Sequence, residues 1–90
     1  SLKYAKTALD IARTSVEIDP SDTQARQNLG RALSRYGVTL ALVKRASEAV
    51  NYLRQAEETI LELIGREPRN TVYQDDLATL YTRLGDLEKT

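Results

Sequence analysis

The sequence predicts an all-α protein, and three observations carry that prediction. Apolar residues recur at three- and four-residue spacing along four successive stretches, with none of the strict alternation of a half-buried strand. Asp19-Pro20 and Glu67-Pro68 punctuate those stretches 48 residues apart. Proline lacks an amide proton and keeps the residue before it out of helical geometry, so each pair marks a helix stop. The chain also resembles itself: shifted by 48, seven of the 42 overlapping positions are identical, where chance gives about two. The identities are Tyr4/Tyr52, Ala8/Ala56, Pro20/Pro68, Thr23/Thr71, Leu29/Leu77, Arg35/Arg83 and Gly37/Gly85. Turn prolines, small residues and stripe positions are what a repeated helical hairpin reuses.

In the first stretch Leu2, Ala5, Leu9, Ala12 and Val16 share a face, which predicts a helix over about 2–18. After the proline, Ser21 and Gln24 stand at capping-box spacing. A second helix over about 22–44 carries Ala25, Leu29, Ala32, Leu33, Tyr36, Leu40 and Val43 on one side. Its stripe continues through Gly37, which costs about 1 kcal/mol against alanine without breaking a helix. Arg45-Ala46-Ser47 reads as a tight turn with Ser47 as N-cap. The third helix, about 48–65, has Ala49, Val50, Leu53, Ala56, Ile60, Leu63 and Ile64, with Tyr52 and Leu61 widening the arc. Gly65 is expected to cap it. The fourth, about 70–85, opens on Thr71 and Gln74 at capping-box spacing and carries Tyr73, Leu77, Leu80, Tyr81, Leu84 and Leu87. Ala8, Leu29, Leu33, Tyr36, Leu53, Ala56, Ile60, Leu77 and Tyr81 are expected to be largely buried.

Composition narrows the function. Thirteen basic residues balance thirteen acidic ones, so no bulk charge draws the chain to a polyanion. It contains neither Cys nor His, which removes disulfides, thiolate metal sites, imidazole bases and cysteine nucleophiles. The paired carboxylates Glu57-Glu58 and Asp75-Asp76 are sequence neighbours, and on a helix these point about 100° apart rather than at one substrate atom. No apolar run approaches the ~18 residues of a membrane span. The reading is non-enzymatic, with no cofactor, metal, nucleic acid or membrane.

These residues resemble the tetratricopeptide repeat. Leu29-Gly30 with Leu33, and Leu77-Ala78 with Tyr81, match the Leu-Gly-x-x-Tyr portion of its first helix. Ala8, Ala12 and Pro20, and again Ala56, Ile60 and Pro68, match the spacing of its second helix. Leu84-Gly85-Asp86 is similar to a stretch common in the family. Arg26 and Gln74 stand where the family has tryptophan, and the period is 48 rather than about 34. The surplus fits an antiparallel hairpin lengthened by about seven residues per helix, which returns each stripe to nearly the same face. That pattern looks like the elongated repeats of large bacterial signalling proteins; the alternative is a shorter repeat broken at Gly37. The resemblance divides the chain into the second helix of a truncated repeat (1–20), one full repeat (21–68) and the first helix of another (69–90). It implies a solenoid fragment of a larger protein, a reading to which the absence of methionine also points.

The resemblance also implies a function: a non-catalytic scaffold that binds another protein or peptide, or other segments of its parent chain. A purely structural spacer or self-association element is the alternative. The first helix of each pair usually faces the concave side in this family, which places Gln27, Asn28, Arg31, Arg35, Val38, Leu42 and Arg83 along a peptide-binding groove. Guanidinium groups there could grip the carboxylates of an acidic segment; the plainer expectation is that Arg35 and Arg83 form local ion pairs. Val38 and Leu42 either meet a ligand or pack against the next hairpin. Open solenoid ends, with Ile11 or Ile18 exposed at one and Leu80, Leu84 and Leu87 at the other, lead to the expectation of a two-fold homodimer. A cytoplasmic location is expected.

Overall fold

The computed structural model describes residues 1–89 as helices α1 (Leu2–Ile18), α2 (Thr23–Leu42), α3 (Ala46–Arg66) and α4 (Thr71–Glu88), with no strand among them. The break at Gly37 that a shorter repeat would need is absent, because α2 passes through it. The fourth helix runs further than the stripe predicted, and α2 stops two residues earlier.

The helix starts differ in detail from the sequence reading. Asp22, not Ser21, caps α2: its carboxylate accepts from the backbone amides of Gln24 (2.9 Å) and Ala25 (3.2 Å). Ser21 is held in the preceding turn, where its amide and its hydroxyl both donate to Asp19 Oδ1 at 3.1 and 2.6 Å. At α4 the cap is Asn70 rather than Thr71, its side chain accepting from the Val72 amide at 3.0 Å. The two true caps are again 48 residues apart. So is a lock across each proline turn: Arg26 Nε donates to Pro20 O at 2.7 Å and Gln74 Nε2 to Pro68 O at 2.8 Å. The long polar side chains at 26 and 74 therefore tie the hairpin to its own turn.

Between α2 and α3 the chain reverses through Lys44 at φ 66°. The Lys44 amide donates to Ala41 O (3.1 Å) and the Arg45 amide to Leu40 O (3.0 Å), the Schellman pattern, with lysine where glycine is usual. Ser47 is already inside α3 and caps nothing; Arg45 holds the cap position and grips Glu48 with two hydrogen bonds of 2.6 and 2.8 Å. Gly65 likewise lies within α3, whose last residue is Arg66 and whose C-cap is Glu67.

The antiparallel pair α2 and α3 is the centre of the molecule: α2 packs on both α1 and α4, and α3 packs on α4 and meets α1 through Arg13, which donates to Gln55 and lies over the Tyr52 ring. Contact is closest at two glycines. A Cβ built on Gly37 would lie 2.8 Å from Leu53 Cγ and 3.1 Å from the Ala49 carbonyl; one on Gly30 would lie 3.3 Å from Ile60 Cγ1. Leu9, Leu40, Leu53, Leu63 and Leu80 are fully buried, and the Tyr36 and Tyr52 rings meet edge to face at 4.7 Å. The Cα atoms fill a slab of 35 × 26 × 15 Å. Four residues expected in the core depart from it: Ala8, Leu29 and Leu77 are half-buried and Tyr81 is exposed. Leu80 and Leu84, expected at an open end, are buried against the rest, and Leu87 is partly so.

Candidate functional site

Helices α2 and α4 lie side by side and point the same way, since Gln27 and Arg31 reach Asp76 while Val38 shares a cleft with Arg83 one or two turns on. Ile60 of α3 forms part of the floor between them. Along this face the structure sorts the predicted groove residues into three roles.

Arg31 is a cross-link. Its Nε and Nη2 donate to the two carboxylate oxygens of Asp76 at 3.2 and 3.4 Å, and Gln27 Nε2 reaches Oδ2 at 3.5 Å. This forked pair ties α2 to α4 and occupies the guanidinium. Asp76 was not singled out as a partner from the sequence; its position opposite a Gln27/Arg31 turn emerges only when α4 is laid on α2.

Arg35 and Arg83 are different. Both line the same cleft, and neither has an ion-pair partner among the described residues. The local pairs expected for them do not form. Arg35 has no acid three or four residues away in either direction, so an intrahelical bridge is not possible.

Beyond Arg83 the cleft opens into an apolar hollow of about 530 Å³. Val38, Ala41, Leu42, Leu53 and Leu87 form its walls, and Lys44, Arg83 and Asp86 stand at its edge. Leu42 is 77% exposed and Val38 half-buried. The last turns of α4 therefore approach these two without covering them. Asn28 lies on the other side of α2, in a groove shared with Ala8, Ile11 and Ser15 of α1. Its Oδ1 accepts from Gln24 Nε2 at 3.2 Å. Thus Arg31, Arg35, Val38 and Arg83 line one cleft, in which Arg31 is already paired with Asp76; Leu42 belongs to the adjoining hollow, and Gln27 and Asn28 do not line either.

Reactive groups do not converge. Glu57 meets Arg54 at 3.4 Å and also holds the Tyr81 phenol above its ordinary pKa through a hydrogen bond. Burial, then the neighbouring Glu67 carboxylate, raises Tyr73 in the same direction. Both phenols stay protonated at neutral pH, unsuited to act as bases. Among the described residues no group of three or more acidic side chains is placed to hold a metal ion, and no helix is long and apolar enough to cross a membrane. No protein-family model matches the chain, and no curated protein or solved structure matches it either.

Proposed function

We propose that the chain is a non-catalytic, tetratricopeptide-like interaction module whose α2–α4 face binds an acidic segment of another protein. One observation carries the reading: Arg35 and Arg83, without acidic partners among the described residues, line one cleft that runs into an apolar hollow. Guanidinium groups form short, forked hydrogen bonds with carboxylates. An adjacent apolar recess supplies the buried anchor that most peptide affinity needs. The ligand class is therefore a peptide with two or more carboxylates beside an aliphatic side chain, the former on Arg35 and Arg83 and the latter over Val38, Leu42 and Leu87.

Fluorescence anisotropy with a labelled peptide containing glutamates followed by leucine tests this. Exchanging both arginines (Arg35→Gln with Arg83→Gln) should raise Kd by about tenfold or more, in keeping with charge-assisted hydrogen bonds worth about 1.5–3 kcal/mol. Added salt should weaken binding to the unaltered protein, through screening of exposed charges. Equal affinity in the double variant and the unaltered chain would reject the reading. Lys44→Ala, at the edge of the hollow, should have a smaller effect in the same direction.

A further inference from the structure

Helix α2 lies in a seat made by its two later neighbours. On α3, Leu53 stands against Gly37, and Thr59 and Ile60 stand against Gly30. On α4, Asp76, Thr79 and Arg83 face it across the α2–α4 cleft, with Asp76 bonded to Gln27 and Arg31. Moving each of these back by the 48-residue repeat gives Ala5, Ile11 and Ala12 on α1, and Asn28, Arg31 and Arg35 on α2. Those six residues line one groove, about 350 Å³, between α1 and α2. The seat therefore occurs twice, once filled by α2 and once open, with Ile11 64% exposed along it.

The helix that fills the first seat does so through Gly30 and Gly37. One other helix carries its pattern: in α4, Ala78 and Gly85 take those two places. This ridge is uncovered too. Ala78 is exposed, and a Cβ on Gly85 would meet nothing within 4 Å. Tyr81 is 45% exposed, whereas its counterpart Leu33 is 3% exposed. Groove and ridge cannot satisfy each other within one chain, because α1 and α4 do not touch.

We infer that the α1–α2 groove receives α4 of a second copy of this chain, antiparallel to α1 as α2 is to α3. One polar contact transfers, with donor and acceptor exchanged: the hydrogen bond from Gln27 to Asp76 becomes one from the Asn28 amide to the Asp75 carboxylate of the incoming helix, with Arg31 adjacent. The Arg31–Asp76 ion pair has no counterpart, because Thr79 and Asn28 stand in those places. The contact is heterologous. Each pairing leaves one groove and one ridge unused, so association is head to tail and open-ended rather than a closed two-fold dimer. This surface is distinct from the proposed peptide cleft, which lies between α2 and α4, although Arg31 and Arg35 border both.

The chain contains no cysteine, which makes cross-linking a direct test. In the filled seat a Cβ at position 30 lies 3.6 Å from Thr59 Cγ2; the matching pair across the interface is Ala78 and Ile11. Separately purified Ile11→Cys and Ala78→Cys chains, mixed and mildly oxidised, should give a disulfide-linked dimer of one chain of each. Neither variant oxidised alone should cross-link. In sedimentation velocity, the average mass of the unaltered chain should climb past that of a dimer as concentration rises. Ile11→Asp and Ala78→Arg chains should each remain monomeric, with unchanged helicity by circular dichroism, yet form a dimer and nothing larger when combined. Self-cross-linking of either cysteine variant, a mass that stops at two for the unaltered chain, or a monomer at every concentration would overturn the inference.

Discussion

Gly37 and Gly85 occupy the same place in the 48-residue repetition, on α2 and α4, and their surroundings are opposite. At Gly37 the backbone of α3 comes so close that even a methyl group would collide with Leu53 and the Ala49 carbonyl. At Gly85 the same side of the helix has open space. The neighbouring stripe positions repeat the contrast, with Leu33 buried and Tyr81 exposed. Identical residues at identical helical phase thus serve as a packing device in one helix and only as a flexible residue in the other. What differs is the presence of a helix alongside. An isolated glycine in a helix is a cost of roughly 0.5–1 kcal/mol against alanine, and it is offset only where close approach needs it.

The largest effect that would sharpen this contrast is at Leu33. Leu33→Ala should lower stability by about 2–5 kcal/mol in urea titration, since the lost side chain leaves a cavity in the core. Tyr81→Ala should cost less, about 1 kcal/mol, because the ring is 45% exposed and gives up only partial burial and a surface hydrogen bond with Glu57. Equal losses would break the comparison. The glycines come next, and here the signs should oppose. Gly37→Ala should destabilise by about 1–3 kcal/mol through overpacking against Leu53 and backbone that cannot yield. Gly85→Ala should stabilise by about 0.5–1 kcal/mol through helix propensity alone. A common sign at both sites would mean that α4 is covered as α2 is, as it would be in an assembly, so thermal melts belong at low concentration.

A smaller gain is expected at the turn between α2 and α3. Lys44 sits at φ 66°, where a side chain is strained, and Lys44→Gly should raise stability by about 0.5–1 kcal/mol in the same melts. The smallest effect concerns pH. Asp19 is held below the ordinary carboxyl range by hydrogen bonds from the Ser21 hydroxyl and amide, and Glu48 by the Arg45 hydrogen bonds. A depressed folded-state pKa means that these contributions are complete above the unfolded carboxyl range and disappear as pH falls through the lower folded values. Carboxyl titration by NMR should show both residues protonating at lower pH than aspartate and glutamate do in unfolded peptides. Ser21→Ala should bring Asp19 back up while leaving Glu48 unmoved.

The helices were readable because their causes are local. Apolar spacing and proline stops recur within each stretch, and continuity of α2 through Gly37 followed from its unbroken stripe. The caps were less so: Ser21/Asp22 and Asn70/Thr71 each offer two capping residues in a row, and only the turn geometry chooses between them. Among groove candidates, the sequence grouped Arg31, Arg35 and Arg83 as equivalents. They separate because Asp76 reaches Arg31 from another helix, a distance of 45 residues along the chain that no local pattern encodes.

By itself the sequence determined the helical class, the number and rough extent of the helices, the 48-residue self-similarity, and the absence of cysteine and histidine chemistry. Each of these is a property of spacing or composition within reach of one or two helical turns. The tertiary structure decided which face of each helix is covered, which arginine is neutralised, and where apolar side chains remain open. Those depend on which helix lies beside which, and two repeat-equivalent helices with nearly the same pattern can answer differently when only one has a neighbour. Leu33 and Tyr81 share a phase but not an environment, because burial is decided by the partner surface.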